Sequence, residues 1–261
     1  MPPKARRHFK ENFMRALVTG ASSGIGGEIA KILDSMGYDV VIAARREERL
    51  KKLAARLKNN TEIIVCDLAD CGECVRLFNG AGEIDVLVNS AGFGVFGEFT
   101  DTDLDAELSL IDVNITALHI LTKLYLREFA QRNSGYILNV ASVASFFPGP
   151  KFSSYYASKA YVLRLSEAIG AELKKKKSRV GISVFCPGPV DTEFNKVADV
   201  KFALPGITAR RAAEAAVKGM FKKKRIITCP GTVGFLRFLS KITPDALAEH
   251  FVYKMQAKKE G

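Results

Sequence analysis

Short apolar runs alternate along this chain with longer amphipathic segments. The runs are nearly continuous in Val, Ile and Leu, which is typical of strands that are covered on both faces. They predict strands at 15–19, 39–44, 62–66, 85–89, 135–141, 180–186 and 225–229. The segments between them predict helices at about 25–36, 46–58, 70–79, 103–131, 153–176 and 208–222.

This alternation predicts an α/β protein with a seven-stranded parallel sheet and helices on both faces. Because crossovers between parallel strands are right-handed, the simplest topology is a doubly wound sheet of the Rossmann type. No internal repeat, low-complexity tract or linker divides residues 1–261. We therefore expect a single domain with its core at about 14–230.

The C-terminal extension, residues 231–261, departs from the alternation. Residues 232–242 are apolar and irregular, and Thr243 and Pro244 then have the residue types of a helix start. Three apolar residues follow at intervals of four: Leu247, Phe251 and Met255. We expect this stripe to pack on the core or on another subunit. The alternative is a peripheral membrane contact, flanked by the basic residues Arg237, Lys241 and Lys254.

The composition is that of an ordinary globular protein, with 48% hydrophobic and 26% charged residues. No apolar run approaches the roughly 18–20 residues needed to span a bilayer. The apolar stretch after the basic residues 1–10 is too short for the apolar region of a signal peptide. These observations predict a cytoplasmic protein.

The net charge of +11 comes from 39 basic and 28 acidic residues. Much of the excess lies in short runs: Lys4/Arg6/Arg7, Lys174–Lys177, Lys222–Arg225 and Lys258/Lys259. Such runs are typical of solvated helix ends. The alternative is attraction to a phosphorylated cofactor, an acidic carrier protein or an anionic membrane. Nucleic acid is not expected, because no RNA-binding motif or recognition-helix pattern is present.

The five cysteines are odd in number, which argues against a disulfide scaffold. Cys66, Cys71 and Cys74 match the spacing of plant-type iron–sulfur ligands, and the last two also have the spacing of a redox pair. However, Cys66 ends a strand and Cys74 lies on a predicted apolar helix face. We therefore interpret them as reduced thiols and expect no metal.

A glycine-rich turn, Thr19-Gly-Ala-Ser-Ser-Gly-Ile-Gly26, joins the first strand to the first helix. Glycines let a backbone turn tightly and approach a pyrophosphate, which a helix N-terminus favours electrostatically. The spacing is G-x-x-x-G-x-G rather than G-x-G-x-x-G. The predicted cofactor contacts in this turn are Gly20, Ser22, Ser23, Gly24, Ile25 and Gly26.

The second strand ends in Ala44, Arg45 and Arg46, where an NAD site usually presents an acid to the ribose 2′-hydroxyl. A guanidinium instead grips a 2′-phosphate with paired hydrogen bonds. The sequence therefore predicts NADP(H) over NAD(H), with Arg45 as the main contact and Arg46 or Ser22 as secondary contacts. The alternative is that both arginines only begin an exposed helix.

Two further strand ends lie at the expected ligand-binding edge of the sheet. Asp67 and Leu68 follow the third strand, where an acceptor meets an adenine amino group. The fourth strand ends in Asn89, Ala91 and Gly92 around Ser90, and small residues there let the chain pass close to a ribose. A lone Asp or Asn after a strand is more often a turn residue.

Three residues predict the part of the site where the reaction takes place, here called the chemical end: Ser142, Tyr155 and Lys159. Ser142 follows the fifth strand, and the other two lie one turn apart on one helix face. A phenol has a pKa near 10, and a nearby ammonium and a positive nicotinamide favour its ionised form. Ser142 can then hold a substrate oxygen. Tyr156 is offset by about 100° around the helix, which makes it the weaker candidate.

These motifs together resemble the short-chain dehydrogenase/reductase family, and more narrowly its NADP-preferring carbonyl reductases and hydroxysteroid dehydrogenases. The resemblance runs from about Arg15 to Cys229. It is carried by the glycine-rich turn, Asp67, Asn89-Ser-Ala-Gly92, Asn114, Ser142, Tyr155-x-x-x-Lys159 and Pro187-Gly-Pro-Val-Asp-Thr192. Ser90 is a departure, because the family usually has a second Asn or an Ala there.

The resemblance implies a role for each matching residue. Tyr155 would be the general acid/base, and Lys159 would bind the nicotinamide ribose and lower the pKa of the tyrosine. Ser142 would orient the carbonyl, and Asn114 would support a proton-relay water. The cofactor contacts implied near the nicotinamide are Pro187, Gly188, Val190 and Thr192. A homodimer or homotetramer assembled through 103–131 and 153–176 is also implied.

Aromatic residues cluster in the segments expected around the substrate: Phe93, Phe96, Phe146, Phe147, Phe152, Phe194 and Phe202. They favour an apolar steroid-like, long-chain or aryl ketone. Three functions remain open: an NADPH-dependent carbonyl reductase, a 3-oxoacyl-carrier-protein reductase, and a non-catalytic NADP-binding sensor or scaffold. The sensor is disfavoured because such relatives commonly lose the active-site Tyr or Lys, and both are present here.

Overall fold

The computed structural model describes residues 14–194 and 206–257. The strands in these ranges are β1 (Arg15–Thr19), β2 (Asp39–Ala44), β3 (Thr61–Val65), β4 (Val86–Asn89), β5 (Tyr136–Val140), β6 (Gly181–Pro187), β7 (Val190–Asp191), β8 (Ile207–Thr208) and β9 (Ile226–Cys229). The helices are α1 (Gly24–Ser35), α2 (Glu47–Ala54), α3 (Cys71–Ala81), α4 (Leu104–Ile111), α5 (Leu118–Arg132), α6 (Ser153–Lys175), α7 (Ala209–Phe221), α8 (Gly231–Leu239) and α9 (Asp245–Ala257).

The main sheet has seven parallel strands in the order β3-β2-β1-β4-β5-β6-β9. The strand order reverses between β1 and β4, so the carboxyl ends of these strands open a crevice where ligands bind in doubly wound sheets. All seven predicted strands and the doubly wound topology are confirmed. The short parallel pair of β7 and β8 has no counterpart in the prediction.

Hydrophobic clusters cover both faces of the sheet. Val18 and Val40 face a cluster with Leu33 of α1 and residues of α7. Leu17 and Val41 point to the opposite face and join a cluster with residues of α3 and α5. Successive strand side chains point to opposite faces, so burial on both explains why the strands read as continuous apolar runs.

The segment predicted as one helix at 103–131 is interrupted. The structure has α4, then a π-helical turn at Asp112–Ala117, then α5. The turn contains the buried Asn114, whose side chain bonds to Phe93 and Ser158 of other segments. Single π-turns are frequent at functional sites. The hydrogen bonds of Asn114 to remote residues do not change the spacing of apolar residues along the helix, so the sequence pattern did not predict the interruption.

One prediction for the C-terminal extension is wrong. Residues 232–242 were expected to be irregular, but Gly231–Leu239 forms α8 after Pro230. The helix predicted after Thr243 is present as α9. The predicted stripe is not the face that packs within the chain, so its contact with another subunit or with a membrane stays a prediction. Leu247 and Phe251 are 60% and 66% exposed, and the buried residues are Ala248, Val252 and Gln256. The buried face is offset from the predicted stripe by one residue, and it includes the polar Gln256.

The basic runs lie at helix ends, as predicted, where the structure describes them. Lys174–Lys177 and Lys222–Arg225 are exposed at or just after the ends of α6 and α7. Lys4, Arg6, Arg7, Lys258, Lys259 and Phe202 lie outside the described residues. Within residues 14–194 and 206–257, every helix is too short or too polar to cross a lipid bilayer.

The five cysteines are free thiols, and they differ in solvent exposure. Cys71 is exposed, whereas Cys66 and Cys74 are buried. Burial raises the pKa of Cys66 to about 11 and that of Cys74 to about 12. In the part of the chain that the structure describes, no group of three His, Cys, Asp or Glu side chains is arranged to hold a metal ion.

Candidate active site

A cleft of about 340 Å³ opens at the carboxyl edge of the main sheet. It brings the predicted cofactor and chemical ends into one continuous site. The predicted residues that line it are Gly20, Ser22, Ser23, Gly24, Ile25, Gly26, Arg45, Arg46, Asp67, Leu68, Ala91, Gly92, Ser142, Tyr155, Lys159, Pro187, Gly188, Val190 and Thr192. Asn89 and Asn114 are buried behind its wall.

The glycine-rich turn forms the floor of the cofactor end. Gly20 has a φ of +66°, and a Cβ there would lie 2.7 Å from the backbone N and Cα of Ala91. A Cβ on Gly26 would lie 2.6 Å from the carbonyl oxygen of Gly20. Only glycine fits these positions, and α1 begins with no side-chain cap. Its first amides therefore face the cleft, which fits a cofactor pyrophosphate.

Arg45 and Arg46 have different surroundings at the end of β2. Arg45 is 65% exposed, and its Nη1 lies 3.7 Å from Oδ2 of Asp67. Arg46 instead lies across the glycine-rich turn, where its Nη2 donates to the hydroxyl oxygens of Ser22 and Ser23, each at 3.0 Å. The structure therefore holds Arg46 more firmly than Arg45, although both line the cleft.

Asn89 has a supporting position rather than a cleft-lining one. Its Nδ2 donates to Oγ1 of Thr122 at 3.0 Å and to Oδ1 of Asn139 at 2.9 Å. These bonds join the end of β4 to α5 and β5. The neighbouring Ser90 donates its backbone N–H to Oγ1 of Thr19 at 3.1 Å, which fixes the small residues that follow.

Tyr155, Ser142 and Lys159 meet at the chemical end. Ser142 lies beside Tyr155, and hydrogen bonding from its side chain acts to lower the pKa of the phenol. The ring of Tyr155 stacks on Phe152 with centroids 4.6 Å apart. Nζ of Lys159 lies 5.7 Å from the centroid of the Tyr155 ring and donates to the carbonyl oxygen of Val140 at 3.2 Å. The i, i+4 spacing thus places both groups on one face, as predicted.

Burial has the largest effect on the pKa values of Tyr155 and Lys159. Burial raises the pKa of Tyr155 to about 12, and the hydrogen bond to Ser142 lowers it in part. Burial also lowers the pKa of Lys159 to about 8. The net direction for Tyr155 is opposite to the lowering that we expected from Lys159. The largest cause is desolvation of the buried phenolate, and the smaller opposing cause is hydrogen bonding from Ser142 rather than the charge of Lys159.

Asn114 is held in place by three hydrogen bonds. Its Nδ2 donates to the carbonyl oxygen of Phe93 at 2.9 Å and to Oγ of Ser158 at 3.0 Å. Its Oδ1 accepts from the N–H of Phe93 at 3.1 Å. A Cβ on Gly92 would lie 2.8 Å from this oxygen and 3.2 Å from Nζ of Lys159. Asn114 therefore packs directly behind the cleft wall, next to the lysine.

Tyr156 also lines the cleft, but its hydroxyl has a different partner from that of Tyr155. Nε2 of Gln256, on α9, donates to its hydroxyl at 2.6 Å. Burial raises the pKa of Tyr156. The C-terminal extension therefore closes the far side of the chemical end, and the helical offset between the two tyrosines is reflected in their different partners.

The aromatic residues divide into those that line the cleft and those behind it. Phe93, Phe152 and Phe194 line it, and the ring of Phe194 lies 5.2 Å from that of Tyr155. Phe96 and Phe147 pack against the hydrophobic cluster that contains Phe152 and Tyr155. Phe146 packs against a separate cluster that contains Val162 and Val184. Phe202 lies outside the described residues.

Glu193 is a residue of the cleft that the sequence did not indicate. Its Oε2 accepts from Nη1 of Arg46 at 2.9 Å and from Nη1 of Arg49. Glu193 and Arg46 are separated by 147 positions, and an acid after Thr192 carries no pattern of its own. Only the fold brings these three side chains together.

Comparison with known proteins extends this description. A family model described as short chain dehydrogenase matches residues 14–222. A 3-oxoacyl-[acyl-carrier-protein] reductase of Rickettsia conorii is 33% identical over 182 residues, which are 69% of this chain and 73% of that protein.

Two solved structures are also similar to this chain. A short-chain dehydrogenase from Sphingobium yanoikuyae in complex with NADPH has a TM-score of 0.79 and 29% identity, covering 90% of this chain and 98% of that one. A bulky-bulky ketone specific alcohol dehydrogenase from Comamonas testosteroni has a TM-score of 0.76 and 28% identity, covering 88% and 92%.

Proposed function

The chain belongs to the short-chain dehydrogenase/reductase family, and we propose that it interconverts an apolar ketone and a secondary alcohol with NADP(H) as its preferred cofactor. As a family member it is an oxidoreductase that works with a nicotinamide cofactor. The observation that carries the proposal is the convergence of Ser142, Tyr155 and Lys159 on one cleft with the glycine-rich turn.

The residues at the chemical end divide the work of proton transfer. A bound nicotinamide would supply or accept the hydride. Ser142 holds the substrate oxygen by a hydrogen bond, and Tyr155 gives that oxygen a proton in reduction or takes it in oxidation. Lys159 would bind the nicotinamide ribose and would contribute positive charge near the phenol. Asn114 holds the wall behind Lys159, which is the position from which it would support a relay water.

The proposed preference for NADP(H) is supported by charge at the end of β2. No acid follows Ala44 in the place where a ribose hydroxyl would be bound, and two arginines line the cleft there. A phosphate dianion gains charge-assisted hydrogen bonds from guanidinium groups, whereas a ribose hydroxyl gains less. The similar Sphingobium enzyme was solved with NADPH.

The proposed substrate class is supported by the lining of the chemical end. Among the described residues there, Phe93, Phe152 and Phe194 present aromatic surface, and Lys159 is the charged group. Such a lining suits an apolar body next to one polar reacting group. The similar Comamonas enzyme is specific for bulky ketones.

A 3-oxoacyl-carrier-protein reductase is the second candidate. The similar Rickettsia protein has this activity in its name, and the basic runs at the ends of α6 and α7 offer a surface for an acidic carrier. The test is to measure oxidation of NADPH and NADH with steroid, aliphatic and aryl ketones and with acyl thioesters. Turnover confined to thioesters would replace the proposed ketone substrate. Tight NADPH binding without any turnover would favour a non-catalytic sensor.

The pH dependence of alcohol oxidation should report the Ser142–Tyr155 bond. Oxidation needs the phenolate, so its rate rises with pH towards the pKa of Tyr155. Because the bond from Ser142 lowers that pKa, Ser142→Ala should move the rise to higher pH. The measurement is kcat/KM for the alcohol over about pH 6 to 12, because burial places the pKa of Tyr155 at about 12 before a positive nicotinamide lowers it. Ser145→Ala is a matched control, since Ser145 bonds to the carbonyl oxygen of Ser142 rather than to Tyr155. A Ser142→Ala profile that keeps the wild-type midpoint would contradict this role.

Self-association through α5 and α6 is also proposed. The preceding α4 exposes Leu104, Leu108 and Ile111, and α6 exposes Tyr161, which is hydrogen bonded to His119 of α5. Light scattering after size exclusion should give a dimer or tetramer, and Tyr161→Asp should lower the assembled fraction because it would bury a charge. A monomer at micromolar concentration would reject this assembly.

A further inference from the structure

The three residues after β7 bridge both ends of the cleft. Thr192 packs against the glycine-rich turn, because a Cβ on Gly24 would lie 3.2 Å from its Cγ2. Glu193 pairs with the arginines at the cofactor end, and Phe194 lies against the ring of Tyr155. Glu193 is therefore the acid that this bridging segment presents to the cofactor end.

Glu193 uses one oxygen for two guanidinium groups. Its Oε2 accepts from Arg46, the residue before α2, at 2.9 Å, and also from Arg49 within α2. These hydrogen bonds, first that of Arg49 and then that of Arg46, lower the pKa of the carboxyl, so it is ionised at neutral pH. With 39% of its side chain exposed, the carboxylate lies at the mouth of the cleft, within reach of solvent and of a ligand.

Arg46 is the point at which this carboxylate and a cofactor phosphate meet. Its Nη2 is held by Ser22 and Ser23 of the glycine-rich turn, whereas its Nη1 is held by Glu193. A guanidinium has five N–H donors, and a phosphate monoester carries more charge and more acceptor oxygens than a carboxylate. A phosphate that binds Arg46 therefore has to share or displace the Glu193 carboxylate.

We propose that Glu193 determines how strongly the cleft discriminates NADPH from NADH, because its carboxylate competes with the ribose 2′-phosphate for Arg46. The competition weakens NADPH binding and leaves NADH binding nearly unchanged, since the two cofactors differ only in that phosphate. The proposal rests on the proposed preference for NADP(H). It adds that Glu193 limits this preference. Without the Glu193 carboxylate, the arginines would bind the 2′-phosphate more tightly than they do in its presence.

The test is the dissociation constants of NADPH and NADH, measured by calorimetry on the full chain and on Glu193→Gln. The amide keeps the shape of the side chain and removes its charge. We expect the NADPH constant to fall about fivefold, in line with one exposed ion pair, and the NADH constant to change less than about twofold. Glu48→Gln is the matched control, because it removes a charge from α2 at an exposed position that does not line the cleft.

Each other outcome has a distinct meaning. Unchanged or weaker NADPH binding in Glu193→Gln would overturn the inference. Equal tightening for both cofactors would also overturn it, because the carboxylate would then act on the shared pyrophosphate. The proposed function is tested separately by the unmodified chain: if this chain binds NADH as tightly as NADPH, the preference fails, whatever the variant does.

Discussion

Tyr155→Phe should abolish turnover while cofactor binding is retained. The substitution removes one hydroxyl from a fully packed ring and leaves its stacking on Phe152 intact. Loss of a general acid/base typically lowers a rate about 10²- to 10⁴-fold, and we expect about 10³-fold here because Ser142 remains to bind the substrate oxygen. The measurement is kcat for ketone reduction, together with a titration of NADPH.

Tyr156→Phe is the matched control for this prediction. It removes the neighbouring phenol, which bonds to Gln256 rather than to Ser142. We expect most turnover to remain, with a loss of stability of about 1 kcal/mol for the broken buried hydrogen bond. Similar losses of kcat in both variants would indicate damage to α6 rather than the loss of a catalytic proton donor, and near-normal rates in Tyr155→Phe would remove Tyr155 from catalysis.

Arg45→Asp and Arg46→Asp should each shift the cofactor preference towards NADH. Each replaces a phosphate-binding guanidinium by a carboxylate that repels a phosphate and accepts from a ribose hydroxyl. One charge-assisted hydrogen bond contributes about 1.5–3 kcal/mol, so we expect the ratio of kcat/KM for NADPH to that for NADH to fall about 10- to 100-fold.

The two variants also rank the arginines. The sequence predicts Arg45 as the main contact, whereas the bonds of Arg46 to Ser22 and Ser23 favour the larger loss in Arg46→Asp. Lys51→Asp is the control, since Lys51 is an exposed residue of α2 that pairs with Glu47 and Glu48 outside the cleft. If neither arginine variant changes the ratio more than the control does, the phosphate is bound elsewhere.

The sequence by itself determined the sheet and the glycine-rich turn. Each strand is marked by its own continuous apolar run, because burial on both faces is a local requirement on composition. Gly20 and Gly26 are marked by backbone requirements that no other residue meets. The pairing of Tyr155 with Lys159 follows from helical spacing alone, and Ser142 was placed beside them by the rule that parallel strands end at one edge.

Only the tertiary structure decided how the polar groups of the site are partnered. The sequence predicts Asn89 as a cofactor contact, and the fold adds the bonds of its side chain to α5 and β5. Glu193 meets Arg46 across 147 positions, and Gln256 meets Tyr156 across 100. The acidity of Tyr155 depends on how deeply the fold buries it. These properties depend on distance and burial between remote segments, which periodicity and motif spacing do not record.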